Sequence, residues 1–190
     1  MRRRITLALA LMAGLALTAF AAGCGSSSGG ADTTHPDYAK ALSGAPAPLA
    51  KLYGEADRLL PGGKEAVEKR VAALGHPVVA NIWASWCGEC RHEFPLFQDA
   101  AAKWGKKVGF IGVDSEDIDS DAEEFLDGHP VPYPSYTDPH HELAASVQAN
   151  GLPDTVFYDR AGEVVYTRLG EYGDAAELEE DIKKYALEGA

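Results

Sequence analysis

The chain has 190 residues, 46% of them hydrophobic and 9% aromatic, which suits one packed domain with additional segments. A formal charge of −12 argues against nucleic acid or anionic lipid as the main partner of the folded surface. Three cysteines, Cys24, Cys87 and Cys90, are fewer than a secreted disulfide scaffold carries.

The first residues read as an export signal rather than as part of a fold. "MRRR" is a cationic start, "ITLALALMAGLALTAFAA" an apolar stretch, and "AAGC" a small-residue close at Cys24. A small pair followed by cysteine resembles a bacterial lipobox, although Ala21 stands where that pattern prefers Leu. The resemblance implies that residues 1–23 are removed and that Cys24 becomes a lipidated N-terminus. An uncleaved membrane anchor and an ordinary signal peptide are the alternatives, and Arg2-Arg3 is too generic to specify a twin-arginine signal. Loss of Arg2, Arg3 and Arg4 takes the charge from −12 to −15. Residues 24–36, with "GSSSGGADTTHP", read as a flexible tether. A lipid on a tether holds a domain near a membrane without spanning it.

Residues 37–74 read as an N-terminal extension. Asp37–Gly63 is rich in Ala, Pro and Gly and predicts loop with a short helix around Leu49–Leu60. "KEAVEKRVAAL" places Val67, Val71 and Leu74 at helical spacing over Lys64–Leu74, with Gly75 as the stop. "PVVANIWAS" is a nearly continuous apolar run suited to a buried central strand, and Cys87 follows it at a strand-to-helix turn. The next helix aligns Phe94, Phe97, Ala101 and Trp104, and Pro95 in its early turns predicts a kink. "KVGFIGVD" predicts a second buried strand ending at Asp114. Asp114, Glu116 and Asp117 then read as a solvated acidic loop before a helix near Ser120–Asp127. "HPVPYPSYTD" holds a short strand and "PHHELAASVQA" a helix. "LPDTVFYDRAGEVVYTRLG" reads as a hairpin turning at Asp159–Gly162, and "DAAELEEDIKKYAL" as a closing amphipathic helix. The order β-α-β-α-β-α-β-β-α predicts an α/β fold with a mixed sheet flanked by helices on both faces.

A lone C-x-x-C pair admits several readings. Zinc needs two further ligands, and the candidates are His92, His129, His140 and His141. His140 and His141 are adjacent, and no second cysteine pair exists, so no metal site is expected. A purely structural disulfide would close too short a loop to gain much. The redox reading has a mechanism: Cys87 at a helix N-terminus is favoured as thiolate, and Cys90, one turn in, is placed to attack a mixed disulfide. That reading expects an exposed Cys87 and a shielded Cys90.

"NIWASWCGEC" resembles the active-site strand and turn of thioredoxin-like proteins. "CRHEFP" and "GLPDTVFYDRAGEVV" narrow the resemblance to the extracytoplasmic TlpA, ResA and CcmG-type thiol–disulfide oxidoreductases, over about Gly75–Tyr185. The resemblance implies a thioredoxin-like domain over 75–190, with Cys87 as attacking and Cys90 as resolving cysteine. It implies that Pro153 is the cis-proline facing the disulfide, that Leu152 and Trp86 flank the substrate, and that Glu93 is a buried acid tuning the cysteines. Asn81 takes the strand position where cytoplasmic thioredoxins have a buried Asp. Two departures stand out. Gly88-Glu89 lies between the cysteines where many relatives have Pro before the second, and the usual N-terminal strand pair is replaced by the Lys64–Leu74 helix.

The reading is a membrane-tethered monomer, outside the cytoplasm, that reduces protein disulfides in the manner of cytochrome c maturation. Its electrons come from a membrane reductase, and it needs no cofactor beyond its own cysteine pair. A disulfide-forming oxidase and a peroxiredoxin-like peroxidase are the enzymatic alternatives, the second weakened because no Pro-x-x-x-Thr-x-x-Cys pattern is present. A lipoprotein that binds a metal or partner without catalysis is the alternative of another class.

Overall fold

A computed structural model describes residues 35–189; the export signal, Cys24 and most of the tether lie outside the described residues. A six-stranded mixed sheet organises the chain. Its strands are β1 (Leu59–Leu60), β2 (Val78–Trp83), β3 (Gly109–Ser115), β4 (Ser135–Asp138), β5 (Asp154–Tyr158) and β6 (Val164–Leu169), in the spatial order β1-β4-β3-β2-β5-β6. Strands β1, β4, β3 and β2 run parallel, while β5 and β6 are antiparallel to their neighbours.

Alternation along the central strand divides the core in two. Val79 and Trp83 of β2 face one cluster, together with Phe94 and Phe97 of α4 (Gly88–Trp104), Phe125 of α5 (Asp119–Gly128) and Leu178 of α7 (Ala175–Asp181). Val78, Ala80 and Ile82 face the other, with Val67 and Val71 of α3 (Gly63–Leu74) and Leu143 of α6 (Glu142–Ser146). Asn81 shares the parity of Val79 and Trp83, so its amide points toward α4. Trp83, Phe94 and Phe125 pack ring to ring at centroid distances of 4.8–5.3 Å and lock α4 and α5 to β2.

The extension is part of this body. Leu49 and Leu52 of α2 (Ala47–Tyr53) are fully buried in the second cluster, Tyr53 donates to Val108 O at 2.7 Å, and Tyr38 of α1 (Tyr38–Ala41) donates to Pro130 O at 3.1 Å. The structure corrects the reading here. The helix expected around Leu49–Leu60 ends at Tyr53, and Leu59–Leu60 forms an edge strand beside β4, so the N-terminal edge is a short strand followed by α3 rather than the helix alone. Two leucines in a polar stretch are too short a run to signal a strand without the partner that pairs them. The α3 helix ends as expected at Gly75, whose φ of 63° is the left-handed cap that glycine adopts without strain. Helix α4 runs on through Pro95, and the closing helix passes at Ile182–Leu187 into a π-helical stretch.

Gly112 on β3 is a point of close approach. A Cβ there would lie 2.1 Å from Ser135 Oγ and 2.8 Å from Trp83 Nε1, the pair whose hydrogen bond ties β2 to β4 across β3. Gly112→Ala is therefore expected to destabilise the fold by about 1–3 kcal/mol through overpacking. Urea denaturation measures this, and an unchanged midpoint would mean that Ser135 moves aside at no cost.

Candidate functional site

Strand β2 has its parallel partner on one side and its antiparallel partner on the other, so the connections diverge at its C-terminal end. Ala84–Cys87 leads from that end into α4, and Cys87 is the helix N-cap. Its Sγ accepts a hydrogen bond from Cys90 N at 3.0 Å. Cys87 and Cys90 are joined by a disulfide with S–S 2.01 Å and Cα–Cα 5.3 Å. The free N–H groups and dipole of a 17-residue helix favour negative charge on Cys87 once the bond is reduced. The expected contrast in exposure is slight in this oxidised form: Cys87 is 4% exposed and Cys90 is fully buried. Gly88 and Glu89 between them are exposed.

Trp86 stands out into solvent at 61% exposure, with its indole N–H donating to Glu116 O at 3.1 Å. Trp83 is wholly core. Leu152 is half-buried, Pro153 is buried, and the peptide bond between them is cis. Because Asp154 pairs with Ile82, the loop that ends at Pro153 sits at the same end of the sheet as the cysteine turn. His92 and His140 are exposed, and His141 Nδ1 meets Ser115 Oγ at 3.0 Å.

Glu93 lies one turn after Cys90 and is 1% exposed. Asn81 Nδ2 donates to Oε1 at 2.6 Å and Tyr172 N donates to Oε2 at 3.2 Å. Burial pushes its pKa up to about 7, the two hydrogen bonds lower it, and the charges of Glu171 and Asp154 add a further rise. Asn81 Oδ1 has no partner, so a rotated Asn81 amide can accept from a protonated Glu93 as readily as the present one donates to an ionised Glu93.

Three carboxylates that the sequence reading missed or misread shape this end of the molecule. Asp154 is 2% exposed; its Oδ2 accepts from Asn150 N at 2.9 Å and Gly151 N at 3.2 Å, and its Oδ1 from Gly170 N at 2.7 Å. It pins the loop containing Leu152 and Pro153. An acid directly after Pro, opening an apolar strand, is the signal that could have found it. The acidic run after β3 is also not the solvated loop expected. Asp114 is 2% exposed, and Asp117 accepts from both the backbone N and the hydroxyl of Ser85; of the three only Glu116 is exposed, with its carboxylate 3.7 Å from His141 Nδ1.

The AhpC/TSA family matches residues 44–167. The thiol:disulfide interchange protein DsbE of Yersinia pestis is 31% identical over 146 residues, covering 76% of this chain and 73% of that protein. The thiol-disulfide oxidoreductase ResA of Bacillus thuringiensis is 27% identical over 58% of this chain, a match spanning 64% of its own length, a little under two thirds. Among solved structures, MTB DsbF, in mixed oxidised and reduced forms, is 28% identical with a TM-score of 0.54, covering 58% of this chain and 81% of that one.

Glu93 links the site to stability. Its proton is held more tightly in the folded chain, at about 7, than at its ordinary 4.5. Its contribution to stability is fully present below the lower value and is lost as pH rises through the higher one. Glu93→Gln has no such loss. The stability advantage of the native chain over Glu93→Gln is therefore expected to shrink by on the order of 3 kcal/mol between pH 4 and pH 8. Urea titrations at the two pH values check this, and a pH-independent difference would mean that Glu93 titrates like a solvated acid.

Proposed function

We propose, from the premise that this chain belongs to the AhpC/TSA family and is a thiol–disulfide oxidoreductase of the DsbE/ResA type, that it reduces protein disulfides outside the cytoplasm while tethered to a membrane. The observation that carries this reading is the Cys87–Cys90 disulfide at the head of α4 with buried Glu93 one turn behind it.

In the reduced chain Cys87 is the thiolate that attacks. A bond forms between its Sγ and one substrate sulfur, the substrate's own S–S bond breaks, and the departing thiolate takes a proton. Cys90 then yields its proton to Glu93 and attacks Cys87 Sγ. The second substrate thiolate leaves, and the Cys87–Cys90 disulfide remains. Two electrons have passed to the substrate, so a dithiol donor must restore the pair, and a membrane reductase is the donor in this reading. Trp86 and Leu152 flank the substrate sulfur and Pro153 closes the site opposite the cysteines. Cytochrome c maturation is the process that the resemblance to ResA and CcmG-type proteins implies.

Glu89 supports the reducing direction. An anion between the cysteines opposes thiolate formation, destabilises the reduced form and makes it the better donor. The potential is expected near the value of about −270 mV for thioredoxin rather than about −120 mV for DsbA. The tether rests on "AAGC" and the Gly/Ser run after it. No helix among the described residues is long and apolar enough to cross a membrane.

Thiol tagging of the native chain is expected to add two tags at Cys87 and Cys90 after mild reduction, and the reduced chain is expected to reduce insulin. Cys87→Ser is expected to abolish insulin reduction, and Cys90→Ser to stop at a mixed disulfide. A potential near that of DsbA would reverse the proposed electron flow. For the anchor, Cys24→Ala is expected to block lipid labelling; a native chain that takes up no lipid would point to a plain secreted enzyme.

A further inference from the structure

The loop after β3 holds the cysteine turn from the side. Asp117 Oδ2 accepts from Ser85 N at 2.5 Å, and Oδ1 accepts from Ser85 Oγ at 3.0 Å and Ile118 N at 2.8 Å. Next to it, Glu116 O receives the Trp86 indole. Both residues that precede Cys87 are thus anchored to this loop. In the same segment, Asp114 Oδ1 is buried with no hydrogen-bond partner. Burial, and then the Asp117 charge, push the Asp114 pKa up to about 8.

We propose that Asp117 is a positioning residue for the thiol–disulfide reaction: it fixes the Ser85–Trp86 backbone and thereby the line along which Cys87 Sγ meets a substrate sulfur. This rests on the reading of Cys87 as the attacking cysteine. Sulfur exchange requires three sulfurs nearly in line, so a turn free to swing loses rate without losing its thiolate. Its hydrogen bonds go to Ser85 and Ile118 and none to a cysteine sulfur, so its effect passes through Ser85.

Two variants separate position from charge. Asp117→Asn and Asp117→Ala both remove the anion, but only Asn keeps an oxygen for the Ser85 N–H. Amide hydrogen exchange at Ser85, Trp86 and Cys87 is expected to rise at least about tenfold in Asp117→Ala, which removes both bonds to Ser85, and to stay within about threefold of native in Asp117→Asn. Single-turnover reduction of insulin by the reduced chain, compared at equal thiolate fraction, is expected to fall about tenfold in the Ala variant and to recover in the Asn variant. Ser85→Ala, which removes only the hydroxyl bond, is expected to give a loss of about two- to threefold, and it carries the contrast with Asp117→Asn if the Ala variant does not fold. Native-like exchange in Asp117→Ala would overturn the proposal, as would equal rate losses in Asn and Ala, which assign the effect to charge. Should the native chain fail to reduce insulin, the proposed reduction falls, and the exchange contrast still decides the role of Asp117.

Discussion

A carboxyl group placed in an apolar core is costly unless every lone pair is matched or a proton is taken up. Glu93 meets that constraint by joining three segments. Asn81 from the central strand and Tyr172 from the segment after β6 each give it a donor, and its own helix carries the cysteines. Strand β2, helix α4 and the approach to α7 therefore cannot shift independently without stranding a carboxyl group in the core. The Trp83, Phe94 and Phe125 rings close over the same side and exclude water from it. The acid that raises the cost of the core is also what fixes the position of Cys90 relative to the sheet.

The other carboxylates follow the same logic at the loop level. Three loops meet at one end of the sheet: the turn after β2, the loop after β3 and the loop before β5. Two of them are held by an acid that accepts backbone N–H groups, Asp117 for Ser85 and Asp154 for Asn150, Gly151 and Gly170. Hydrogen bonds to a charged acceptor are stronger than neutral ones and make short connections rigid without a large core. Part of the acidity of this chain is thus internal architecture. Its net charge overstates how much acid faces solvent around the disulfide, where Glu89 and Glu116 are the exposed members.

Legibility in the sequence divided along one physical line. Elements whose signal is apolar periodicity were readable: the β2 run, the α3 spacing with its Gly75 stop and the β5–β6 hairpin all lie where the pattern places them. Spacing sets Cys87, Cys90 and Glu93 on one helix, but the burial of Glu93 was expected from the family resemblance and not from any local signal. The edge strand Leu59–Leu60 was not, since its pairing comes from β4, more than 70 residues away in the chain. Asp114 and Asp117 were misread because a carboxylate in a loop carries no local mark of burial. What places Asp114 inside is the continuation of β3 to Ser115, where it pairs with Trp83 of β2 on one side and Thr137 of β4 on the other. Asp154 was passed over for the same reason, although its place between Pro153 and a buried strand leaves its side chain little solvent to face.

In the proposed reaction the pair Cys90 and Glu93 has a property that neither residue has alone. Each is buried, they lie one helical turn apart, and once the disulfide is reduced each is a group that can hold a proton. Two negative charges one helical turn apart in a dry site repel, so ionising one raises the pKa of the other and the two titrate as a unit. When Cys90 attacks, its proton has to leave, and transfer to an ionised Glu93 keeps the buried charge at one throughout. Delivery to bulk water would instead leave the thiolate and the carboxylate charged together. Glu93, poised near neutrality, is ionised often enough to receive the proton and basic enough to keep it while the electron pair moves from Cys90 to the Cys87 sulfur. A carboxylate with an ordinary pKa in the same place would be ionised too, but too weak a base to take a proton from a thiol. The burial that makes Glu93 costly to fold is therefore the same burial that makes it a usable acceptor.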